Sequence, residues 1–375
     1  MRLNVFLARM AQALPEQLER LNLPGVAYAC IEDGQVAAVR CHTRPGFGAL
    51  NERSLFRVAS ISKSVAAWTV MRLVERGVVE LDQPIGRYLR RWQLPASAHD
   101  EAGVTLRRLL SHQAGISTAG LGRRPHDGRP VDITEGLEAR HPMMNAAQER
   151  YYQRWGLPPD APVRLEHAPG QSFAYSNGGY AMLEAMIEDV TQRRYDEVVT
   201  DAVLRPLGLL ASGFDPLPPG LAADCAPPYS ETGEPVEDWV PLSRAAGGLW
   251  SSITDLATFA AAGMAGPNGA PPGRGVLAPE TVAAMHMAHC DAGTQEGVHF
   301  ESCLGHFLHT DAAGRVHVNH TGGFCGWRSV FWTVPAQRAG LCVLVNSDGG
   351  NAVWQWLLHA WAETLDLPAP APSRP

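Results

Sequence analysis

Three short stretches of the 375-residue chain hold side chains that can pass protons and attack a carbonyl. In Ser60-Ile61-Ser62-Lys63 a hydroxyl precedes an amine by three residues, and on a helix that spacing puts both on one face. The chain has 31 Lys plus Arg positions but a single lysine, so Lys63 stands against thirty arginines. A lysine desolvated near a helix N-terminus can lose its proton and act as a base, whereas arginine, with a pKa above about 12, cannot. Drift toward arginine accounts for the thirty and leaves Lys63 as the position where arginine does not serve.

Tyr175-Ser176-Asn177 is the only Y-x-N and stands just before a helix-like run. A phenol there can share a proton with Lys63, and Asn177 can orient the amine and a substrate carbonyl. Equally, Asn177 can cap the helix with Tyr175 packed beneath it. His320-Thr321-Gly322-Gly323 closes a strand-like run that is a candidate sheet edge, where glycines admit a substrate and leave N–H groups free to donate. His126-Asp127-Gly128 repeats the H-x-G spacing inside a polar loop and reads as a decoy. Each motif is weak alone: a lysine has a serine three residues before it by chance about one time in twenty. Their order lifts them, with the hydroxyl on the first helix after a hairpin, Y-x-N in a helical stretch and H-T-G on a late strand.

The elements that must position these residues are legible in part. Leu3, Leu7, Met10, Leu14, Leu18 and Leu21 recur at helical spacing, so the first segment reads as an amphipathic helix rather than a signal peptide, Arg9 breaking its apolar run. GVAYACIEDGQVAAVRC is a hairpin turning at Asp33-Gly34, and a helix runs from Ser60 to about Gly77. From 82 to 241 Pro-punctuated helical pieces and polar loops predict a mostly helical insert. SCLGHFLHT, RVHVNHT, WRSVFWTV and AGLCVLVN read as strands, followed by a helix from about Ala352 to Leu365. The expected architecture is α/β (α+β): a central antiparallel sheet flanked by helices, built from residues 1–81 and 242–367, an inserted helical domain at 82–241, and a cleft between them. The Pro-rich tail, 368–375, is expected to be disordered.

A net charge of −7 without a dense basic cluster argues against nucleic acid or an anionic membrane as partner and favours a small neutral or weakly polar substrate. Seven scattered cysteines without CxxC spacing and no apolar run long enough to span a bilayer favour a cytoplasmic location.

With VVELDQPIGRYL, TLRRLLSHQAGI, RPLGLLASGF and AAGGLWSSITDLATFA falling between the motifs, the chain from about Pro24 to Leu365 resembles the serine β-lactamase and penicillin-binding-protein superfamily. The likeness is to its class C-like branch, which includes esterases, D-aminopeptidases and acyltransferases. The resemblance implies a β-lactamase-like fold with Ser60 as acylated nucleophile, Lys63 and Tyr175 as the proton-transfer pair and Asn177 as a positioning residue. It also implies an oxyanion hole from the N–H groups of Ser60 and Gly323, and neither metal nor cofactor. His320 stands where the β-lactamases usually carry lysine, and it supplies at best a conditional charge near pH 7. That exchange points to an esterase or acyltransferase, with a D-stereospecific peptidase, amidase or peptide-cyclising thioesterase as the alternative. Thr321, Gly322, Trp327 and Arg328 are possible substrate contacts. A G-x-S-x-G elbow is absent. His286, His289, Cys290, His299 and Cys303 match no familiar zinc spacing. Lys63→Arg is expected to fold normally and lose acylation.

Overall fold

A computed structural model describes residues 2–140, 161–295 and 298–367; the tail expected to be disordered lies outside them. Eight antiparallel strands form the central sheet: β1 (Gly25–Glu32), β2 (Gln35–Thr43), β3 (Cys290–Gln295), β4 (Val298–Ser302), β5 (Phe307–Thr310), β6 (Val316–Phe324), β7 (Trp327–Val334) and β8 (Ala339–Val345). Their order is β2-β1-β8-β7-β6-β5-β4-β3, so the two chain ends meet where β1 pairs β8, Val26 opposite Val345. Asp33 and Gly34 take positive φ, +55° and +66°, the geometry a two-residue hairpin needs.

Strand alternation sorts side chains between two layers. Val26, Tyr28 and Cys30 face helix α1 (Arg2–Arg20) and helix α5 (Asn351–Thr364). Ala27, Ala29 and Ile31 face the opposite core, with helices α2 (Ser62–Glu75) and α4 (Ile253–Ala262). Because both faces are covered, the central strands read as continuous apolar runs rather than alternating ones. Along α1 the buried residues are Phe6, Met10, Leu14 and Leu18; of the expected stripe, Leu3, Leu7 and Leu21 are only partly buried against the same core, and Phe6 was not foreseen. Burial surrounds α2 almost entirely from Ser62 to Leu73, and Gly77, at φ +68°, follows its C-cap.

Between residues 82 and 241 the described chain carries helix α3 (Asn177–Thr191), several shorter helices and long irregular connections. The inner core continues without a break from Ala27 and Phe331 through Val65 and Trp68 to Leu106, Met182 and Tyr195. One strand expectation changes, and one strand was not foreseen. SCLGHFLHT is divided, because Gly305 turns at φ +84° and presses so closely on α2 that a Cβ there would lie 2.3 Å from Ala67 Cβ. The edge strand β3, Cys-Asp-Ala-Gly-Thr-Gln, has weak intrinsic strand preference and forms through pairing with β4. No described helix is long and apolar enough to cross a membrane.

Candidate active site

The chain enters the site through a short strand, Leu55–Arg57, and turns at Ala59, whose φ of +48° is uncommon for a residue with a Cβ. Ser60 follows in a single 3₁₀ turn, Ala59–Ile61, leading into α2. Hydrogen bonds clamp this turn on several sides. Ser62 Oγ donates to the Ala59 carbonyl at 2.7 Å and accepts from Leu249 N at 3.0 Å, while Ser329 Oγ donates to the Val58 carbonyl at 2.8 Å. The strain at Ala59 persists because these partners over-determine it.

Lys63 lies one turn further on and is 0% exposed. Its Nζ is 3.1 Å from Ser60 Oγ, 2.9 Å from Asn177 Oδ1 and 2.7 Å from the Ala246 carbonyl. Burial holds its pKa well below the ordinary lysine value. A neutral amine has two N–H groups and one lone pair. The two carbonyl oxygens can only accept, so they take both N–H groups and leave the lone pair to the Ser60 hydroxyl. The titratable groups around it among the described residues add no anion. Tyr175 and Tyr180 lie 4.9 and 5.6 Å from Nζ at their ring centres, and burial pushes both phenols above their usual range. Tyr175 is hydrogen-bonded to Ser60, which partly offsets that rise.

Helix α3 presents Asn177 because Ser176 caps it, accepting from Gly179 N at 2.8 Å and donating to the Ser117 carbonyl at 2.7 Å. The cap is therefore Ser176, and the Asn177 side chain is free to hold Lys63. Gly178 is needed beneath it, since a Cβ there would lie 2.7 Å from the Ser117 carbonyl oxygen.

His320 lies on β6, which is an internal strand rather than the sheet edge expected for it. Its neighbour β5 pairs it only from Val316 to Asn319, however, so from His320 to Phe324 no strand covers that side among the described residues. Gly322 packs against the nucleophile turn: a Cβ there would lie 2.2 Å from the Val58 carbonyl oxygen and 3.1 Å from Ala59 Cβ. His320 Nδ1 donates to its neighbour's carbonyl, Thr321 O, at 2.7 Å, which places its remaining lone pair on Nε2. Burial, with Lys63 nearby, drives its pKa down to about 3. The conditional charge expected of it is thus absent at neutral pH.

Ser60, Lys63, Tyr175 and Asn177 are brought together, and His320 joins them through its proximity to Lys63. Thr321 and Gly323 are partly exposed on the same strand. Trp327 and Arg328, offered by their position as possible substrate contacts, are both buried. Trp327 is 0% exposed, packed edge-on against Phe56 and Trp250, and Arg328 spends its guanidinium on the Phe324 and Trp327 carbonyls and on Asp348. Their place at the β6–β7 turn turns both inward to fasten it. His126 pairs Asp238 beside Arg57, consistent with a structural loop contact.

Sequence reasoning missed two rings. His112, at φ +58°, packs at a 34° tilt against Tyr175 with centroids 4.3 Å apart and accepts the Ser176 N–H on Nδ1 at 3.2 Å. Burial first, then Lys63 and His320, hold it well below the usual histidine range, so it is neutral. Phe307 lies 5.3 Å from His320 and 6.5 Å from Tyr175. The one available signal was SHQAGI itself, whose histidine lies in a turn and carries no periodic pattern.

The family model described as Beta-lactamase matches residues 9–365, and the chain belongs to that family. Esterase EstB of Burkholderia gladioli is 27% identical over 210 residues, covering 55% of this chain and 51% of its own length, so the chain spans about half of that relative. The octameric penicillin-binding protein homologue from Pyrococcus abyssi superposes with TM-score 0.73 at 22% identity, covering 97% of this chain and 78% of that one. A class C β-lactamase superposes with TM-score 0.70 at 18% identity over 96% of each chain. At those identities the structural likeness establishes the β-lactamase-like fold, with its antiparallel sheet and flanking helices.

Proposed function

We propose that the protein is an esterase or acyltransferase that works through an acyl-enzyme on Ser60. The observation that carries this reading is the setting of Lys63: a buried amine whose Nζ lies 2.9 and 2.7 Å from two carbonyl oxygens and 3.1 Å from the hydroxyl it would deprotonate. Ser60 Oγ bonds to the substrate carbonyl carbon as its proton passes to Lys63 Nζ. The tetrahedral oxyanion is assigned to the N–H groups of Ser60 and Gly323, donors that matter most in the charged intermediate. Collapse breaks the carbon–oxygen bond to the leaving alkoxide. Tyr175, kept protonated by burial and bonded to Ser60, gives that alkoxide a proton and is reprotonated from Lys63. Water or an alcohol reverses the sequence.

The ester preference rests on His320. A neutral imidazole offers no fixed cation for a substrate carboxylate, which favours acyl groups without one. The likeness to an esterase supports the same choice. Turnover of a short-chain p-nitrophenyl ester should exceed that of a D-amino-acid p-nitroanilide and of a chromogenic cephalosporin. Efficient cephalosporin hydrolysis would overturn the assignment of His320. Absence of a fluorophosphonate adduct on Ser60 in the folded protein would overturn the enzymatic reading itself.

A further inference from the structure

The two carbonyls that keep Lys63 poised come from separate elements, and something must hold one against the other. Asn177 opens α3, while Ala246 lies on a single-turn helix, Arg244–Gly247. Seven residues beyond Asn177, two helical turns along the same face, comes Glu184, and Glu188 follows one turn later. Glu184 is 0% exposed and grips the short helix directly, its Oε1 accepting from Arg244 Nε at 2.7 Å and its Oε2 from Ala245 N at 2.9 Å. The remaining Arg244 nitrogens are also spent on carboxylates, Nη2 on Glu188 at 2.6 Å and Nη1 on Asp196 at 2.9 Å.

We propose that Glu184 and Arg244 are positioning residues for the general base: by locking the Ala246 carbonyl opposite Asn177 Oδ1 they aim the Lys63 lone pair at Ser60. This rests on Lys63 acting as the base. Simpler ways of tying down a short helix were available, since a capping hydroxyl, Ser243, already accepts from Ala246 N. A buried arginine shared among three carboxylates is costly to desolvate and gives little net stability, so its gain is better sought in geometry. The clamp does not act by charge on Lys63, whose depressed pKa comes from burial with no carboxylate contributing. An error in the carbonyl would loosen the amine, let water reach it and return its pKa toward the ordinary value.

The test is pre-steady-state acylation by a p-nitrophenyl ester, expressed per site titrated with fluorophosphonate, for wild type, Glu184→Gln and Asp196→Asn across pH. Glu184→Gln keeps the shape and removes the charge paired with Arg244. We expect its acylation rate constant per titrated site to fall about tenfold, KM to stay near wild type, and the acid limb of the pH profile to move upward. Asp196→Asn, at the more exposed end of the clamp, safeguards the test against misfolding of the first variant and should lose about threefold in the same direction. An unchanged rate constant and unchanged limb per titrated site, whatever the melting temperature, would refute the positioning role. A wild-type protein that forms no adduct would refute the serine-hydrolase reading and the inference with it, whereas a normal wild type beside a normal Glu184→Gln refutes the inference alone.

Discussion

Replacing Lys63 tests the neutral amine, and two substitutions divide the question. Lys63→Met keeps an unbranched chain but has no N–H to donate and no basic nitrogen to take the Ser60 proton. The carbonyls of Ala246 and Asn177 lose their donors, about 1–3 kcal/mol each when buried, partly offset because no amine has to be desolvated. The variant should therefore fold, with acylation reduced by roughly 10²–10⁴, or about 2.7–5.4 kcal/mol of barrier. Lys63→Arg differs from what its sequence position suggests. Arginine cannot shed its charge, and among the described residues no carboxylate contributes to the electrostatics at this position, so several kcal/mol of desolvation fall on folding. That variant should be poorly folded as well as inactive. Linkage supplies an independent readout. The unfolded chain binds a proton at lysine's ordinary pKa while the folded chain does not, so in that window the unfolded state holds more protons and stability rises with pH. Denaturant unfolding of wild type minus Lys63→Met should thus gain up to about 1.4 kcal/mol per pH unit between the lowered pKa and about 10.5, measurable from about pH 8 to 9.5. Parallel pH dependence of the two proteins, or a stable Lys63→Arg that still acylates Ser60, would refute a neutral Lys63.

Gly322→Ala should cost about 1–3 kcal/mol and depress acylation, because the new Cβ would sit 2.2 Å from the Val58 carbonyl oxygen and 2.3 Å from Ser329 Oγ, forcing β6 away from the nucleophile turn; urea unfolding and burst amplitude measure both effects. Acid should weaken the fold from about pH 6.5 downward, since burial lowers His320 to about 3 and His286 to about 4, so the unfolded state takes up protons first. Between pH 6.5 and 4, His320→Asn should lose stability less steeply than wild type on guanidinium titration.

Local patterns carried much of the fold. The centre of the α1 stripe at Met10, Leu14 and Leu18, the Asp33-Gly34 hairpin and the apolar runs of β6, β7 and β8 depend on periodicity and turn chemistry within a few residues, and they read correctly from the chain. Elements that owe their existence to a neighbour did not. The strand at Cys290–Gln295 has no pattern of its own and is made by β4, and the break before Phe307 comes from the docking of Gly305 on α2.

For the candidate site the division is between identity and state. The sequence by itself determined which groups are available: a lone lysine three residues after Ser60, a phenol two residues before Asn177, and a histidine ahead of two glycines. It could not decide that Trp327 and Arg328 are enclosed in a turn, that His112 packs against Tyr175, or that His320 is neutral. Nor could it place the partners of Lys63, one 114 residues away and the other 183. Proton affinity depends on how much water a group keeps and on which dipoles face it, and only the folded chain sets those. Residue type makes Lys63 able to lose a proton; tertiary structure makes it do so beside Ser60.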